Sequence, residues 1–568
     1  MGSLDARRWT PFAAALLPLV IYVWTAAGHG YWLDSAEFTA AAVELDIPHP
    51  PGHPLFGLWS QPFCWLPLGP LPFRVAVGQA VAAAIALGFV CRALLHEGAY
   101  LALAASWLLA GCYGFWFQAV RAEVYALEAM LVCIAFERVA AWAHERTNTR
   151  ALYGACFALG LGLANHHFIA VLAMPVLAWP AYDAFRQHGW RALALCTALG
   201  ASGLVTYAYL PLRALAEPPM DLGDPRTWQD FWWVISAQVY ARKIGGGALQ
   251  PLGERFADLA VILYEQLGLL VLASLLGGYV LLRQRRSWPL AYLWWTAALI
   301  SLCGRAWLNE VRANPDVLGY MIPGFVALVA LAARGVAVFG RARWTAVLPV
   351  LALATFWLHR DASLHAFAAT DAFDELRRRR LPAASVLILT TPETVFRHWE
   401  GEAVEQLRAD VTMLPLPFLG YGGSDRVWLR RDPSLRAVVE AYARTGALAP
   451  DALRALARER PVFVELDSST TLSLYPHVSP AGLLYRVDGR HPALATVDAR
   501  DAESAKQLLW AHYVRTLFFA ARGDRARALD AAQHGLGYAP RARELRALTE
   551  ALSRGAPLDL RSFLVGQK

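Results

Sequence analysis

Apolar residues fall in blocks along this chain, and the loops between the blocks alternate in charge. That alternation constrains the fold more than any other feature. A helix needs about 20 apolar residues to cross a bilayer, and in lipid the backbone must satisfy its own polar groups. Eleven candidate membrane helices can be drawn, at 11–27, 73–95, 99–117, 124–143, 151–164, 168–183, 191–212, 258–282, 288–304, 318–333 and 344–358. Several are short, so eleven is an approximate count. The stretch Phe56–Leu66 is apolar but too short to span and is expected at the interface. With 57% of its 568 residues hydrophobic and arranged this way, the chain reads as a polytopic helical membrane protein, not a large soluble core.

Arginine placement orients the scheme, because cytoplasmic loops are enriched in Lys and Arg. Arg7 and Arg8, Arg92, Arg138 with Arg146 and Arg150, Arg186 and Arg191, Arg283 with Arg285 and Arg286, and Arg334 with Arg341 and Arg343 share one set of loops. That set is cytoplasmic if the N-terminus is inside, which puts the chain after Leu358 outside. The opposite loops gather Asp34, Glu37, His49, His53, Arg121, Glu123, Asn165, His166, His167, Arg213, Arg305, Asn309, Glu310, Arg312 and Asp316. Charges at mid-membrane cost roughly 3 kcal/mol or more, so they collect at loops or line cavities. Either these are scattered solvated loop charges, or the loops converge on a polar chamber facing outward. The net charge of +7 follows from topology. No basic stripe interleaved with aromatics points to nucleic acid.

The most loaded loop is Gly30–Leu55, GYWLDSAEFTAAAVELDIPHPPGHPL. Asp34 and Glu37 are three apart, so a helical turn puts both carboxylates on one face. His49 and His53 bracket Pro50-Pro51-Gly52, which cannot be helix interior. A short acid-bearing helix followed by a stiff imidazole-bearing turn has the parts of an acid–base site at a membrane surface. An ordinary wet connector is the other reading.

The seven cysteines lie in or beside apolar runs and include no CxxC, so they read as packing residues. No small-residue cleavage site follows 11–27, so a retained first helix is expected. In the long loop Ala214–Ala257, Gly223-Asp224-Pro225 signals a turn. Trp228–Val239 then reads as an interfacial aromatic helix, and Gly245–Gly247 follows without a phosphate-loop continuation. After Leu358 the composition becomes soluble. Ser385–Thr391 and Pro461–Leu466 have buried-strand patterns, and Arg377–Arg380 reads as a solvated or membrane-contacting face. Glu503–Ser553 reads as helices with a turn at Gly523-Asp524, either a tetratricopeptide-like pair or a plain hairpin. The expected domains are 1–358 in the membrane, 359–500 as an extracytoplasmic α/β unit, and 501–568 as a helical hairpin.

Asp34-Ser35-x-Glu37 followed by His49-Pro50-Pro51-Gly52-x-Pro54-Leu55 resembles the signature of the family that includes the O-mannosyltransferase of plexin-type receptors. Further matches keep the same order: Arg121-x-Glu123-Val124-Tyr125, Asn165-His166-His167, Tyr209–Arg213, Gly223-Asp224-Pro225, Asp316–Pro323, Leu381–Leu389 and Arg408–Val411. Ala36 departs from the glycine usual in that family. The resemblance implies a GT-C glycosyltransferase fold, a sugar donor on polyprenyl phosphate with mannose as one such sugar, and a catalytic acid in the first external loop. It also implies a protein or glycan acceptor, and a bacterial member would sit in the inner membrane with its C-terminal part in the periplasm.

In that chemistry an ionised carboxylate takes the proton of the acceptor hydroxyl, and cations meet the departing phosphate. Asp34 is the expected base and Glu37 its support. Arg213 with Arg305 or Arg312 forms the expected phosphate clamp. His166 and His167 bind phosphate or sugar hydroxyls, or else hydrogen-bond helix ends. Glu123 orients a histidine or sugar, or pairs with Arg121. Tyr125 and Trp32 stack on sugar or belong to an aromatic belt. His49, His53, Asn165 and Asp316 complete the expected substrate-binding set. No cofactor is expected. A divalent metal on Asp34, Glu37, His49 and His53 is chemically allowed but lacks a recognised ligand spacing. A transporter or flippase with an outward cavity is the rival class, though no internal repeat supports it. A non-catalytic envelope scaffold is the other.

Overall fold

A computed structural model describes residues 2–240, 251–307, 314–340, 343–467, 472–489, 501–554 and 559–564. They form two compact units. The first holds residues 1–28, 47–216 and 234–366, and the second holds 29–46, 217–233 and 367–568. This division interleaves the chain, unlike the expected boundaries at 358 and 500. Two segments from the first 358 residues pack with the C-terminal part because they bring apolar side chains to its core. The helix Ser35–Glu44 contributes Ala36, Ala40 and Ala41, and the segment 217–233 contributes Met220 and Leu222. The boundary at 500 vanishes because sheet and tail share that core: Phe518 packs on Tyr475 and Tyr485 at ring distances of 5.8 and 5.2 Å.

The first unit is helical. Among the described residues, four helical runs are long and apolar enough to cross a membrane: Leu71–Glu97, Thr149–His188, Trp190–Leu215 and Val317–Ala337. Two bent pairs raise the number to six if each is one span. The difference from eleven has local causes. Val124–His144 is 21 residues long but carries Glu128, Glu137 and Arg138. The run expected at 344–358 breaks into the short turns Arg343–Val347, Leu348–Ala352 and Ala354–Leu358. The helices expected at 151–164 and 168–183 lie in one run that breaks at His166 (φ −142°, ψ 83°). That run doubles back, because Arg146 beside its start donates to Asp183 near its end (2.7 Å) and accepts from Gln187 (3.1 Å). Small residues let helices close: a Cβ on Gly203 would lie 2.1 Å from the Gly160 carbonyl oxygen. The short apolar stretch after the imidazole turn forms the helix Pro54–Cys64.

The second unit is built on a five-stranded sheet in the order β2-β1-β3-β5-β4, with β1 (Val386–Leu389), β2 (Thr412–Pro415), β3 (Val462–Val464), β4 (Val478–Ala481) and β5 (Leu484–Val487). β2, β1 and β3 run parallel, and β5 and β4 close the edge antiparallel. β1 reads VLIL and is buried throughout, as a central parallel strand must be. The helix Pro392–Glu405 crosses from β1 to β2, with Pro392 at its first position. Just after β3, the Glu465 carboxylate accepts hydrogen bonds from the amides of Thr390 and Thr391 (3.1 Å each). It also accepts from the hydroxyls of Thr391 (3.0 Å) and Thr394 (2.7 Å).

The basic run Arg377–Arg380 is not the solvated face its composition implies. Arg377 and Arg378 are buried, while Arg379 and Arg380 face solvent. The chain winds here into a wide π turn, Glu375–Arg379, which sends the first two guanidinium groups inward. Arg377 meets Glu465 at 3.6 Å and Arg378 meets Asp374 at 2.9 Å. Buried charges persist when paired in this way.

The aromatic helix after Gly223-Asp224-Pro225 spans Trp228–Ile235, with Trp228 and Trp232 exposed and stacked 6.3 Å apart. Gly245–Gly247 lie outside the described residues. The tail forms three helices, Ala502–Ala521, Arg525–Tyr538 and Arg543–Arg554, one more than a hairpin. Gly523 (φ +73°) turns the first into the second, and Asp524 caps the second by accepting from the Arg527 amide.

Candidate functional site

The expected site residues divide between the two units. Asp34 and Glu37 belong to the second, where the helix Ser35–Glu44 opens on Asp34: the Asp34 carbonyl accepts from the Phe38 amide at 2.9 Å. Asp34 occupies the N-cap, yet its carboxylate does not cap the helix. Leu33 (φ 63°) turns the chain just before it. Glu37 follows one turn later, as the spacing predicts. It is fully buried, and Asp34 is half-buried.

One aromatic beside these acids was not anticipated. Tyr421 lies in the stretch Gly420–Gly423, and its ring packs on Phe418 (5.2 Å) and Trp233 (5.5 Å). Burial pushes its phenol up to about 12, and the charges of Glu37 and Asp34 add to the rise. The stretch is fastened to Gly223-Asp224-Pro225: Gly423 N–H donates to the Gly223 carbonyl (3.1 Å), and Gly223 N–H donates to Ser424 Oγ (2.9 Å). Asp224 then takes Arg426 and Arg430 from the following helix (3.6 and 3.1 Å). Burial, reinforced by Asp224, lifts the nearby Asp221 carboxyl to about 6. The sequence signal for Tyr421 is faint, an aromatic among glycines.

The first unit gathers most of the remaining candidates. His53 Nδ1–H donates to the Asn165 carbonyl at 2.6 Å, which makes Nε2 the acceptor of the neutral ring. Burial holds His53 well below the usual imidazole range, and the charges of His49 and His166 lower it further. The rings run in a chain, from His49 to His53 (5.1 Å), His53 to His166 (5.9 Å) and His166 to Tyr320 (4.9 Å). Tyr125 stands 5.6 Å from His166 and 5.5 Å from Tyr320. Tyr125 can sit there because residue 319 is glycine: a Cβ would lie 2.4 Å from its ring. His166 stands at the helix break, where its Nδ1 accepts from the Ile169 amide (3.4 Å), so the helix-end reading of this histidine has a physical basis. His167 Nδ1 is buried without a hydrogen-bond partner. Asn165 Nδ2 donates to the Val124 carbonyl (2.9 Å) and to Glu128 (3.0 Å).

Beside this lining, fully buried Arg121 pairs with Glu123 (3.0 Å) and Asp316 and donates to Gln118 (2.8 Å). Its fork is engaged by carboxylates of its own unit. Glu123 also caps Val124–His144 through the Val124 amide (3.2 Å). Arg213 is half-buried in the last turn of Tyr209–Leu215. Arg312 and the Arg305 side chain lie outside the described residues. Tyr320 and Glu128 were not anticipated. Tyr320 had a weak signal, since it stands one helical turn beyond Asp316.

Residues 34–189 match the family described as Protein O-mannosyl-transferase TMEM260 N-terminal domain. Protein O-mannosyl-transferase TMEM260 of Mus musculus is 31% identical over 217 residues, covering 35% of this chain and 29% of the mouse protein. Its Dictyostelium discoideum counterpart is 25% identical over 201 residues, covering 32% of this chain and 23% of that protein. The chain thus spans under a third of the length of these relatives. The crystal structure of ArnT from Cupriavidus metallidurans bound to undecaprenyl phosphate superposes with a TM-score of 0.57 at 13% identity. It covers 84% of this chain and 97% of ArnT. The likeness to ArnT is one of fold.

Proposed function

We propose that this chain, a TMEM260-like protein of GT-C-like fold, is a multi-pass membrane glycosyltransferase. In this reading it moves a sugar from a polyprenyl phosphate to a hydroxyl of a protein or glycan acceptor. The observation that carries the reading is the state of Asp34. It stands at the start of a helix inside the family-matched region, half-buried, with a carboxylate not used to cap the helix.

The reaction is a single displacement with inversion at the anomeric carbon. The acceptor oxygen attacks that carbon, its proton passes to the Asp34 carboxylate, and the bond to the phosphate oxygen breaks. The lipid phosphate leaves with the electron pair. Such a base contributes roughly 10²–10⁴ in rate. Glu37, buried one turn on, steadies Asp34. Arg213, with Arg305 or Arg312, meets the phosphate charge, and the ring chain from His49 to Tyr320 takes the sugar. Neutral His53, its Nδ1–H given to the Asn165 carbonyl, offers its Nε2 as an acceptor to a sugar hydroxyl. No resident metal or cofactor enters the scheme. Mannose is the sugar named for the relatives and the first to try. The arginine sorting supports an N-terminus in the cytoplasm and a C-terminal part outside, and the family resemblance suggests the inner membrane of a bacterium, with that part in the periplasm.

The test is Asp34→Asn in purified full-length protein, assayed with polyprenyl-phosphate mannose in the presence of a chelator. The expected loss is about two to four orders of magnitude in turnover with donor binding kept, and Glu37→Gln should lose less. The opposite order moves the base to Glu37, and normal turnover by both variants removes this loop from the chemistry.

A further inference from the structure

The three residues ahead of the acid loop's turn are held at every position. The Gly30 carbonyl accepts from Thr370 Oγ1 (2.9 Å) and from Arg397 Nη1 (3.1 Å). Arg397 is itself fixed by ion pairs to Asp374 and Glu400. A side chain at position 30 has no room, because a Cβ would fall 1.9 Å from a Glu400 carboxylate oxygen. The Tyr31 ring packs on Phe367 at 4.7 Å. Trp32, 1% exposed, meets Phe373 edge-on at 4.9 Å and donates its indole N–H to Ser504 Oγ at 2.9 Å. Ser504 lies in the first helix of the tail, and Asp501 fixes it by accepting from its amide (2.8 Å).

We propose that the second unit sets the position of Asp34, with Arg397, Thr370 and Ser504 as positioning residues. The inference rests on the reading of Asp34 as the base. It gives the C-terminal part a role in the chemical step itself, apart from any choice of acceptor. A reacting group must be held to a fraction of an ångström, and a misplacement of about 1 Å costs about a hundredfold. Fixing the backbone at Gly30 through Trp32 leaves a single turn, at Leu33, between the anchor and the acid. The anchors come from three sequence-distant places: Thr370 ahead of the sheet, Arg397 on the helix after β1, and Ser504 in the tail. The acid therefore reaches its position only when the whole unit is folded.

The experiment compares Thr370→Val, Ser504→Ala, their double variant and Asp34→Asn in full-length protein in lipid nanodiscs, with polyprenyl-phosphate mannose as donor. Turnover is counted per donor-binding site, so misfolded protein does not enter. Deuterium exchange of residues 30–38 reads the anchor independently of activity. The double variant should lose about tenfold to a hundredfold in kcat, keep the donor KM within about twofold, and exchange faster over 30–38. Thr370→Ser, which keeps the hydroxyl, should behave like the parent. Should the double variant fail to fold, the single variants are read the same way with smaller shifts. Parental kcat and exchange in the anchor variants beside an inactive Asp34→Asn would overturn the positioning role and leave the base intact. Full turnover by Asp34→Asn would instead overturn the base, and with it this inference.

Discussion

Each unit buries an arginine between two carboxylates: Arg121 with Glu123 and Asp316 in the helical unit, Arg397 with Asp374 and Glu400 in the other. The chemistry is the same but the third partner differs. Arg121 turns to the Gln118 side chain and lies over the Phe117 ring at 4.5 Å. It stays among the side chains beside the histidine and tyrosine lining, and Glu123 passes the order on by capping Val124–His144. Arg397 turns to a backbone carbonyl, Gly30, and so fixes the course of the chain. Similar ionic knots thus serve two tasks, one shaping a lining and the other placing a loop.

The likeness predicts that losing either cation does severe damage. Arg121→Met leaves buried Glu123 and Asp316 without their cation, and Arg397→Met leaves buried Glu400 without one and Asp374 with Arg378 alone; breaking such a buried pair costs about 3–5 kcal/mol. Chemical unfolding of the full-length protein should register losses of this size in both. A loss below about 1 kcal/mol in either would break the comparison at that knot.

A second, smaller effect separates one group of each unit, Glu400 and His53, by the sign of its pH dependence. Burial outweighs Arg397 at Glu400 and raises its carboxyl from 4.5 to about 7. The folded state then holds a proton that the unfolded chain has lost, so this contribution to stability falls as pH rises from about 4.5 to 7. His53 is lowered by burial, so the unfolded chain binds the extra proton. Its contribution is complete above the ordinary imidazole range, near 6.5, and is lost as pH falls below it. Glu400→Gln should flatten the first slope and His53→Gln the second, each measured as unfolding midpoint against pH. Slopes of the same sign would refute the assignment.

The smallest expected effect concerns Tyr421. Tyr421→Phe keeps the packing on Trp233 and Phe418 and removes the hydroxyl beside the acids. A single hydrogen bond is worth about 0.5–1.5 kcal/mol, or roughly two- to tenfold in turnover. A larger loss would make this phenol a partner in the chemical step, on the scale of the acids themselves.

These contrasts mark where the sequence was legible. The spacing of Asp34 and Glu37 was enough to predict a short acid-bearing helix with the two acids a turn apart, because helical geometry is local. The break at His166 showed as a polar interruption between apolar runs. Membership of a unit was not legible. Ala36, Ala40 and Ala41 look like any membrane-loop helix, and their destination depends on partners more than 340 residues away in sequence, such as Phe396 and Trp399. Arg377 and Arg378 turn inward because of one wide helical turn, which four consecutive arginines cannot announce. The ion pair of Arg121 with Glu123 was one of two readings, and the local geometry selects it.

The carboxylate of Glu465 carries a further consequence. In the order β2-β1-β3 the chain leaves β1 to one side for β2 and returns on the other for β3, so the strand order reverses beside β1. Open α/β sheets grip their ligands in the crevice at such a point, with phosphate at a helix N-terminus. Here that crevice holds the start of the helix Pro392–Glu405, where the Thr390 and Thr391 amides and the Thr391 and Thr394 hydroxyls donate to Glu465, with Arg377 beside it. The protein has put its own anion where a nucleotide's would go. A sheet of nucleotide-binding outline has become a closed bracket.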